Sequence, residues 1–321
     1  MMGPVAARLS GDRLHLHHGP IDLIIGADGD RDAAFAAAWT RFQTVLTELV
    51  AELPLLRRPV GQVPNGVIAR RMFDAVHPHG AVFVTPMAAV AGAVAEEILG
   101  AMCAAPPLTR AYVNNGGDIA LHLGPGESYR LGVVGPTNSA LGQVAIAHTD
   151  PVRGIATSGQ GGRSFSFGIA DAVTVLARTA AQADVAATLI ANAVDLPGHP
   201  AIIRRPANCL QHDTDLGGRL VVTQVGALTD TETATALSNG VRIAHEMLAP
   251  GQIHAAALFL NGQSRLVGAS TALGAFTPEK LWPKYLDAKH ETIGSLSGIS
   301  RGSSGAPAPL TLRLRGLEAI P

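Results

Sequence analysis

Residues 13–18 alternate apolar and polar side chains, and after Gly19-Pro20 an apolar run resumes over 21–25, a pattern that predicts an opening β-hairpin. Ala27-Asp28-Gly29-Asp30 is expected to end its second strand. From 31 to 53 the spacing changes to three or four, with Phe35, Ala38, Trp39, Phe42, Val45, Leu46 and Leu49 on one stripe, so a long amphipathic helix follows and Pro54 closes it. Residues 54–80 read as a Pro- and Gly-containing connection with Arg70-Arg71 and His77-Pro78-His79. After a short strand over 81–84, Thr85-Pro86 supplies an N-cap and a first helical proline for a helix reaching about residue 102. Its first turns hold Ala88, Ala89, Ala91, Gly92 and Ala93, which let another backbone or a ligand approach closely.

Strands are predicted over 109–113, 118–123 and 129–134, joined by Asn114-Asn115-Gly116-Gly117 and Gly124-Pro125-Gly126 as a meander. Further strands are expected over 143–147, 153–156 and 172–177, with a loop at 158–162. A helix over 180–194, an irregular stretch to 217, a strand over 219–224 and a helix over 230–248 come next. Strands over 253–259 and 264–268 then flank Asn261-Gly262. Strands outnumber helices and mostly meet at tight turns, which predicts an α+β fold of antiparallel sheets with packed helices rather than βαβ units. The pattern divides the chain into one domain, 1–272, and a C-terminal extension, 273–321, with a short helix over 277–286 and a Ser-, Gly- and Pro-rich arm over 298–309.

Composition narrows the partners. Hydrophobic residues make up 47% of the 321 residues and charged ones 15%, so most of the chain must be buried rather than disordered. A formal net charge of -1 offers no field for nucleic acid or anionic lipid, which leaves a small molecule or nucleotide as the expected partner. Cys103 and Cys209 form no CxxC and suggest neither zinc nor a disulfide, as in a reducing compartment. No continuous apolar stretch occupies residues 1–18, and the most apolar segment, 81–105, is interrupted by Pro86, Glu96 and Glu97; a buried core helix and a cytoplasmic location are expected, with no membrane span.

Candidate chemistry gathers at a few places. Asp184, Thr188 and Asn192 recur at i,i+4 on one face of an alanine-rich helix, where acidic and hydroxyl oxygens suit a hard divalent cation such as Mg²⁺. The competing reading has Asp184 complement the helix dipole while Thr188 bonds back to its own helix. The turn Asn114-Asn115-Gly116-Gly117-Asp118 is suited to nesting an anion or contacting a ribose hydroxyl, or is a plain hairpin turn. The loop Ala156-Thr157-Ser158-Gly159-Gln160-Gly161-Gly162-Arg163 adds hydroxyls, amides and one positive charge that suit phosphate, without the GK[ST] of a nucleotide P-loop. The histidines at 15, 17, 18, 77 and 79 read as an edge strand and a turn, and no GxSxG accompanies Ser158, Ser164 or Ser166.

In this order, Asn114-Asn115-Gly116-Gly117-Asp118, Gly154-Ile155-Ala156-Thr157-Ser158-Gly159, Val173-Thr174-Val175-Leu176-Ala177 and Ala183-Asp184-Val185-Ala186-Ala187-Thr188 resemble the core motifs of the ApbE superfamily, FAD:protein FMN transferases that use Mg²⁺. The segments His18-Gly19-Pro20-Ile21-Asp22-Leu23 and Thr85-Pro86-Met87-Ala88-Ala89-Val90-Ala91-Gly92-Ala93 look like a narrower branch, the uncharacterised protein family 0280, with similarity over roughly 10–270. The resemblance implies an ApbE-like, T-fold-related domain. It also implies that Asp184, Thr188 and the Ala156 carbonyl hold Mg²⁺, that Asn115, Gly116, Gly117 and Asp118 line the nucleotide pocket, and that Thr157, Ser158, Gly159 and Arg163 lie beside the phosphates of FAD or FMN. The transferases' His-Ile-Ile-Asp-Pro stretch is absent, and Ser166-Phe167-Gly168-Ile169-Ala170-Asp171 runs straight into the next strand.

Three readings of function stand at this point. A Mg²⁺-assisted transferase or hydrolase would break the phosphoanhydride of FAD or a related nucleotide. An enzyme on a small polar metabolite would use the same pocket, with Asp118, Ser166, Asp171 and Arg163 as working groups. A non-catalytic flavin-binding or assembly protein would form a homo-oligomer through the C-terminal arm.

Overall fold

The computed structural model describes residues 3–59, 61–104, 107–134, 140–162 and 164–268. The extension predicted over 273–321 and Arg163 lie outside the described residues.

One sheet organises the chain. Its nine strands are β1 (Val5–Leu9), β2 (Arg13–His18), β3 (Ile21–Gly29), β4 (Leu108–Asn115), β5 (Asp118–Leu123), β8 (Gly154–Ser158), β9 (Ala172–Ala177), β12 (Ala255–Leu260) and β13 (Gln263–Gly268), in that spatial order. Every pairing is antiparallel, as the tight turns predict. The breaks in numbering mark two insertions. A hairpin of β6 (Ser128–Val134) and β7 (Ala140–Ala147) fills the first, while β10 (Ile202–Pro206) and β11 (Leu220–Val225) pair in the second.

Alternation along the central strands gives the sheet two apolar faces. Ala111, Val113, Ala120, Ala156, Val173 and Val175 face a helical layer, whereas Tyr112, Ile119, Leu121, Ile155 and Leu176 face Tyr129, Leu131, Val144 and Ile146 of the hairpin. The helical layer contains α1 (Arg31–Leu56), α2 (Val67–Val76), α3 (Val90–Cys103), α4 (Ala180–Ala193) and α6 (Asp230–Leu248), and a single turn, α5 (Ala207–Leu210), follows β10.

Several elements depart from the sequence expectation for identifiable reasons. Strand β3 continues through Gly29 because a bulge between Asp28 and Gly29 lets it keep pairing with β4. Helix α1 runs through Pro54 to Leu56, since the proline forfeits only a bond to the carbonyl of Val50, a residue exposed enough for water to satisfy it. Residues 67–76 form α2 where a connection is predicted; Ile68, Ala69, Met72, Phe73, Ala75 and Val76 are buried at helical spacing. Its start depends on another element, because Glu52 of α1 accepts the amides of Asn65 and Gly66 at 2.7 and 2.6 Å. No strand forms over 81–84. Thr85 makes no cap bond and donates to Asp215 instead, so Pro86–Ala89 is a 3-10 turn and α3 begins only at Val90.

The stretch 86–103 is long and apolar enough, by length and composition, to cross a membrane. In this fold Ala93, Val94, Ala95, Ile98 and Met102 pack into the core, and the two acids that break the apolar run are paired. Glu97 meets Arg41 at 2.7 Å and Arg71 at 3.0 Å, while Glu96 meets Arg71 at 3.1 Å. Burial pushes the Glu97 carboxyl up, but the two guanidiniums outweigh it and hold it below its ordinary value.

Candidate functional site

Helix α4 is set against the sheet and α3 by backbone contacts that only glycine allows. A β-carbon on Gly154 would lie 2.1 Å from the carbonyl of Thr179, and one on Gly92 would lie 2.3 Å from that of Ala180. Thr179 caps the helix by accepting the Gln182 amide at 3.3 Å. This places the side chain of Asp184 at the start of α3, where its Oδ2 accepts the Gly92 amide at 3.0 Å. The Ala91 amide adds a second donor. The N-cap position of α3 is Ala89, which has no capping side chain, so Asp184 acts as its cap from another helix.

Asp118 approaches the same point from the sheet. It opens β5 on the face it shares with Ala120, toward the helical layer, and its Oδ1 accepts the Thr157 amide at 3.4 Å. Asn115, on that face of β4, donates to the Ala91 carbonyl at 3.1 Å and locks the β4–β5 turn onto α3. Asp184 keeps some solvent exposure but is packed deeply enough that burial dominates its ionisation. Burial first, and then the charge of Asp118, push its carboxyl well above the usual range, with the Gly92 and Ala91 amides opposing. Thr188 lies one turn further along α4, and its hydroxyl has no partner among the described residues.

The remaining predicted residues divide into those that join this point and those that do not. Ala156 and Ser158 lie on the strand face that Asp118 shares, beside β5. Thr157 points the other way, with its hydroxyl 2.9 Å from that of Thr174, so only its backbone reaches Asp118. Parity along β8, counted from Ile155, was the sequence signal for that. In the two-residue turn Gly116-Gly117, both at positive φ, the Gly117 amide is spent on the Asn114 Oδ1 at 2.8 Å rather than left for an anion. In the 158–162 loop the amides of Gln160 and Gly162 bond to Ala170 and Gly159, and Gly159 sits where a β-carbon would meet the Asp171 carbonyl at 2.7 Å.

Ser166 and Asp171 are committed elsewhere. The Ser166 hydroxyl donates to Asn192 Oδ1 at 3.3 Å and accepts the Gly168 amide at 3.2 Å, while Asn192 also accepts the Phe167 amide at 2.9 Å. Asp171 accepts the Asn261 amide at 2.7 Å across the β12–β13 turn, and burial raises its pKa against that bond. The predicted i,i+4 face of α4 is therefore split: Asp184 stands beside Asp118, while Asn192 holds a loop. Sequence reading passed over Glu96, which accepts the Ala181 amide at 2.7 Å and so caps α4 in return. Among the described residues no group of three or more His, Cys, Asp or Glu stands together as a metal cage, so any cation here would rest on two carboxylates with neutral oxygens.

The family model described as AbpE bacteria matches residues 6–266. The chain is 34% identical over 207 residues to a UPF0280 protein of Methanopyrus kandleri, a match covering 62% of this chain and 80% of that protein. Against the ApbE protein of Thermotoga maritima the TM-score is 0.48 at 11% identity, covering 81% of this chain and 97% of that one. Against the flavinyl transferase ApbE of Pseudomonas stutzeri it is 0.39 at 11% identity, covering 85% and 96%.

Proposed function

Since the chain belongs to the AbpE bacteria family, as one of its UPF0280 proteins, we propose that it is a Mg²⁺-assisted transferase or hydrolase acting on the phosphoanhydride of FAD or a related flavin nucleotide. The observation that carries this reading is the meeting of Asp184 with Asp118. The charge of Asp118 helps to hold the Asp184 carboxyl above its ordinary range, and a hard divalent cation beside the two would offset it. The donor set proposed for such an ion is Asp184, the Thr188 hydroxyl, which has no partner among the described residues, and the Ala156 carbonyl, with Asp118 alongside. Bound there, Mg²⁺ would neutralise charge building on the phosphate oxygens as the anhydride breaks.

The protein groups have separable tasks in this reading. Asp184 contributes charge while its second role, capping α3, fixes its position. Asp118 accepts the Thr157 amide, which orients it, and in this reading it holds a hydroxyl of the nucleotide or accepts a proton from the attacking group. Ser158, the last residue of β8, supplies a hydroxyl for a phosphate oxygen in this reading. A small-molecule partner and a cytoplasmic location belong to the same reading.

The test is incubation of the purified protein with FAD and Mg²⁺, followed by separation of the flavins. Water or another hydroxyl adds to the flavin-side phosphorus and the bond to the bridging oxygen breaks, giving AMP together with FMN or an FMN ester. Asp184→Asn should lower the rate by about 100-fold or more, because the amide keeps the cap but loses the charge. Intact FAD after prolonged incubation of the unaltered protein would remove the reaction.

A further inference from the structure

A cleft of about 510 Å³ opens between the polar face of α2 and the start of α4, lined among others by Asn65, Arg70, Arg71, Asp74, Glu96 and Gln182. It is separate from the carboxylate pair. Gln182 precedes Asp184 by two residues, and about 200° of helical turn sets their side chains on opposite sides of α4. The first amides of α4 take no part, because Glu96 holds that of Ala181 and Thr179 that of Gln182.

The hydrogen-bonding capacity left over in this cleft is unbalanced. Arg70 pairs with no carboxylate among the described residues; its one bond, from Nη2, goes to the Pro64 carbonyl at 3.3 Å. Arg71 spends Nε on Glu96 and Nη1 on Glu97 and the Ala93 carbonyl, which leaves Nη2 without a partner among the described residues. The side-chain amides of Asn65 and Gln182 also have none among the described residues, although the backbone amides of both residues are bonded. Against these donors stands one uncommitted carboxylate, Asp74, on the next turn of α2 from Arg70, and the two form no ion pair. Arg71 is thus already neutralised, and its free edge points to a cleft that offers a guanidinium and two amides.

From this surplus of donors we propose that the cleft is a second ligand site, which takes a small molecule bearing an oxyanion head group, phosphate or carboxylate. Arg70 is the principal anchor, in the fork geometry that suits both head groups, and the Asn65 and Gln182 amides complete the shell. Asp74 opposes the ligand. Its charge sets the affinity low and favours a ligand that also carries a cationic or hydroxyl group for it.

The test is titration calorimetry of the full chain at constant ionic strength, with EDTA present to keep the Mg²⁺ reading out of play, using inorganic phosphate and malonate as probes. One of the two should bind. Preference for phosphate assigns that head group and preference for malonate assigns carboxylate. Arg70→Ala should weaken the preferred probe by about 10-fold, as loss of one charge-assisted contact does. Asp74→Asn should tighten it by roughly threefold, because a like charge is removed. Both residues are exposed on α2, so neither variant threatens the fold. Asp184→Asn should leave the affinity unchanged. The proposal is overturned by absence of binding for both probes up to about 10 mM, beyond which affinity is too weak to matter. It is equally overturned by indifference to Arg70→Ala, by no tightening in Asp74→Asn, or by loss of binding in Asp184→Asn.

Discussion

Asp184 and Glu96 cap each other's helices. Asp184 of α4 accepts the Gly92 amide of α3 at 3.0 Å, and Glu96 of α3 accepts the Ala181 amide of α4 at 2.7 Å. Neither helix start is completed by acidic residues of its own first turn. The exchange favours both carboxylates electrostatically, since each lies at the positive end of a helix dipole. It also fixes Asp184 in place beside Asp118, where charge is unfavourable, so position and repulsion at this residue have different origins and respond differently to substitution.

Asp184→Asn and Asp184→Ala should therefore separate. The asparagine keeps an oxygen for the Gly92 amide and removes the charge facing Asp118, so without Mg²⁺ it should be at least as stable as the unaltered protein at neutral pH. The alanine loses the cap and should cost about 1–2 kcal/mol. Urea denaturation of the three proteins decides this, and equal losses in both variants would mean that the two carboxylates do not repel.

The same residue makes stability depend on pH, with a definite sign. Asp184 holds its proton more tightly folded than unfolded, because burial and Asp118 raise its folded pKa. Its contribution is thus fully present below the ordinary carboxylate range and is lost as pH rises through the raised folded value. The melting temperature of the metal-free protein, measured relative to Asp184→Asn, should fall as pH rises above the ordinary carboxylate range. Taking the difference cancels Asp171 and Asp195, whose raised values act in the same direction. Added Mg²⁺ should flatten the difference, whereas a level difference without the ion would show that Asp184 is not perturbed.

Gly92 carries the α3–α4 contact through its missing side chain. Gly92→Ala drives a methyl group to within 2.3 Å of backbone, where nothing flexible gives way, and should cost about 2–3 kcal/mol while weakening any metal response at Asp184. Gly100→Ala, on the same helix with nothing within 4 Å, should instead stabilise by roughly 0.5–1 kcal/mol. Chemical denaturation of the pair isolates the contact from helix propensity, and similar effects in both would refute it.

What the sequence made legible was local. β5, β9 and α6 begin and end where alternation, turns and caps put them, and the order of motifs singles out Asp118 and Asp184, which the fold brings close enough to interact. Helix α2 was hidden because its start is capped by Glu52 from 14 residues upstream of Gly66, and Gly61, Pro64 and Gly66 break the pattern just before it. Glu96 was hidden for the same reason, since a carboxylate acting on a helix 85 residues away leaves no local trace. The amides of the glycine-rich loops looked free because sequence shows which groups exist and not which are already paired.

Ser166 tests the division between chemistry and scaffold most directly. Its hydroxyl donates to Asn192 and accepts the Gly168 amide, and its carbonyl accepts the Val222 amide at 2.9 Å, so it joins the 164–168 loop to α4 and to β11. Removing the hydroxyl leaves the buried Gly168 amide without an acceptor, a loss of about 1–2 kcal/mol. Asn192→Ala strips the Phe167 amide as well as the Ser166 hydroxyl and should cost more, roughly 2–3 kcal/mol. Neither group lies at the carboxylate pair, so Ser166→Ala should leave the FAD reaction within about twofold at a temperature where the variant is folded. A drop in turnover with stability intact would move Ser166 from the scaffold into the reacting set, and would shift the working groups along α4 from Asp184 toward Asn192.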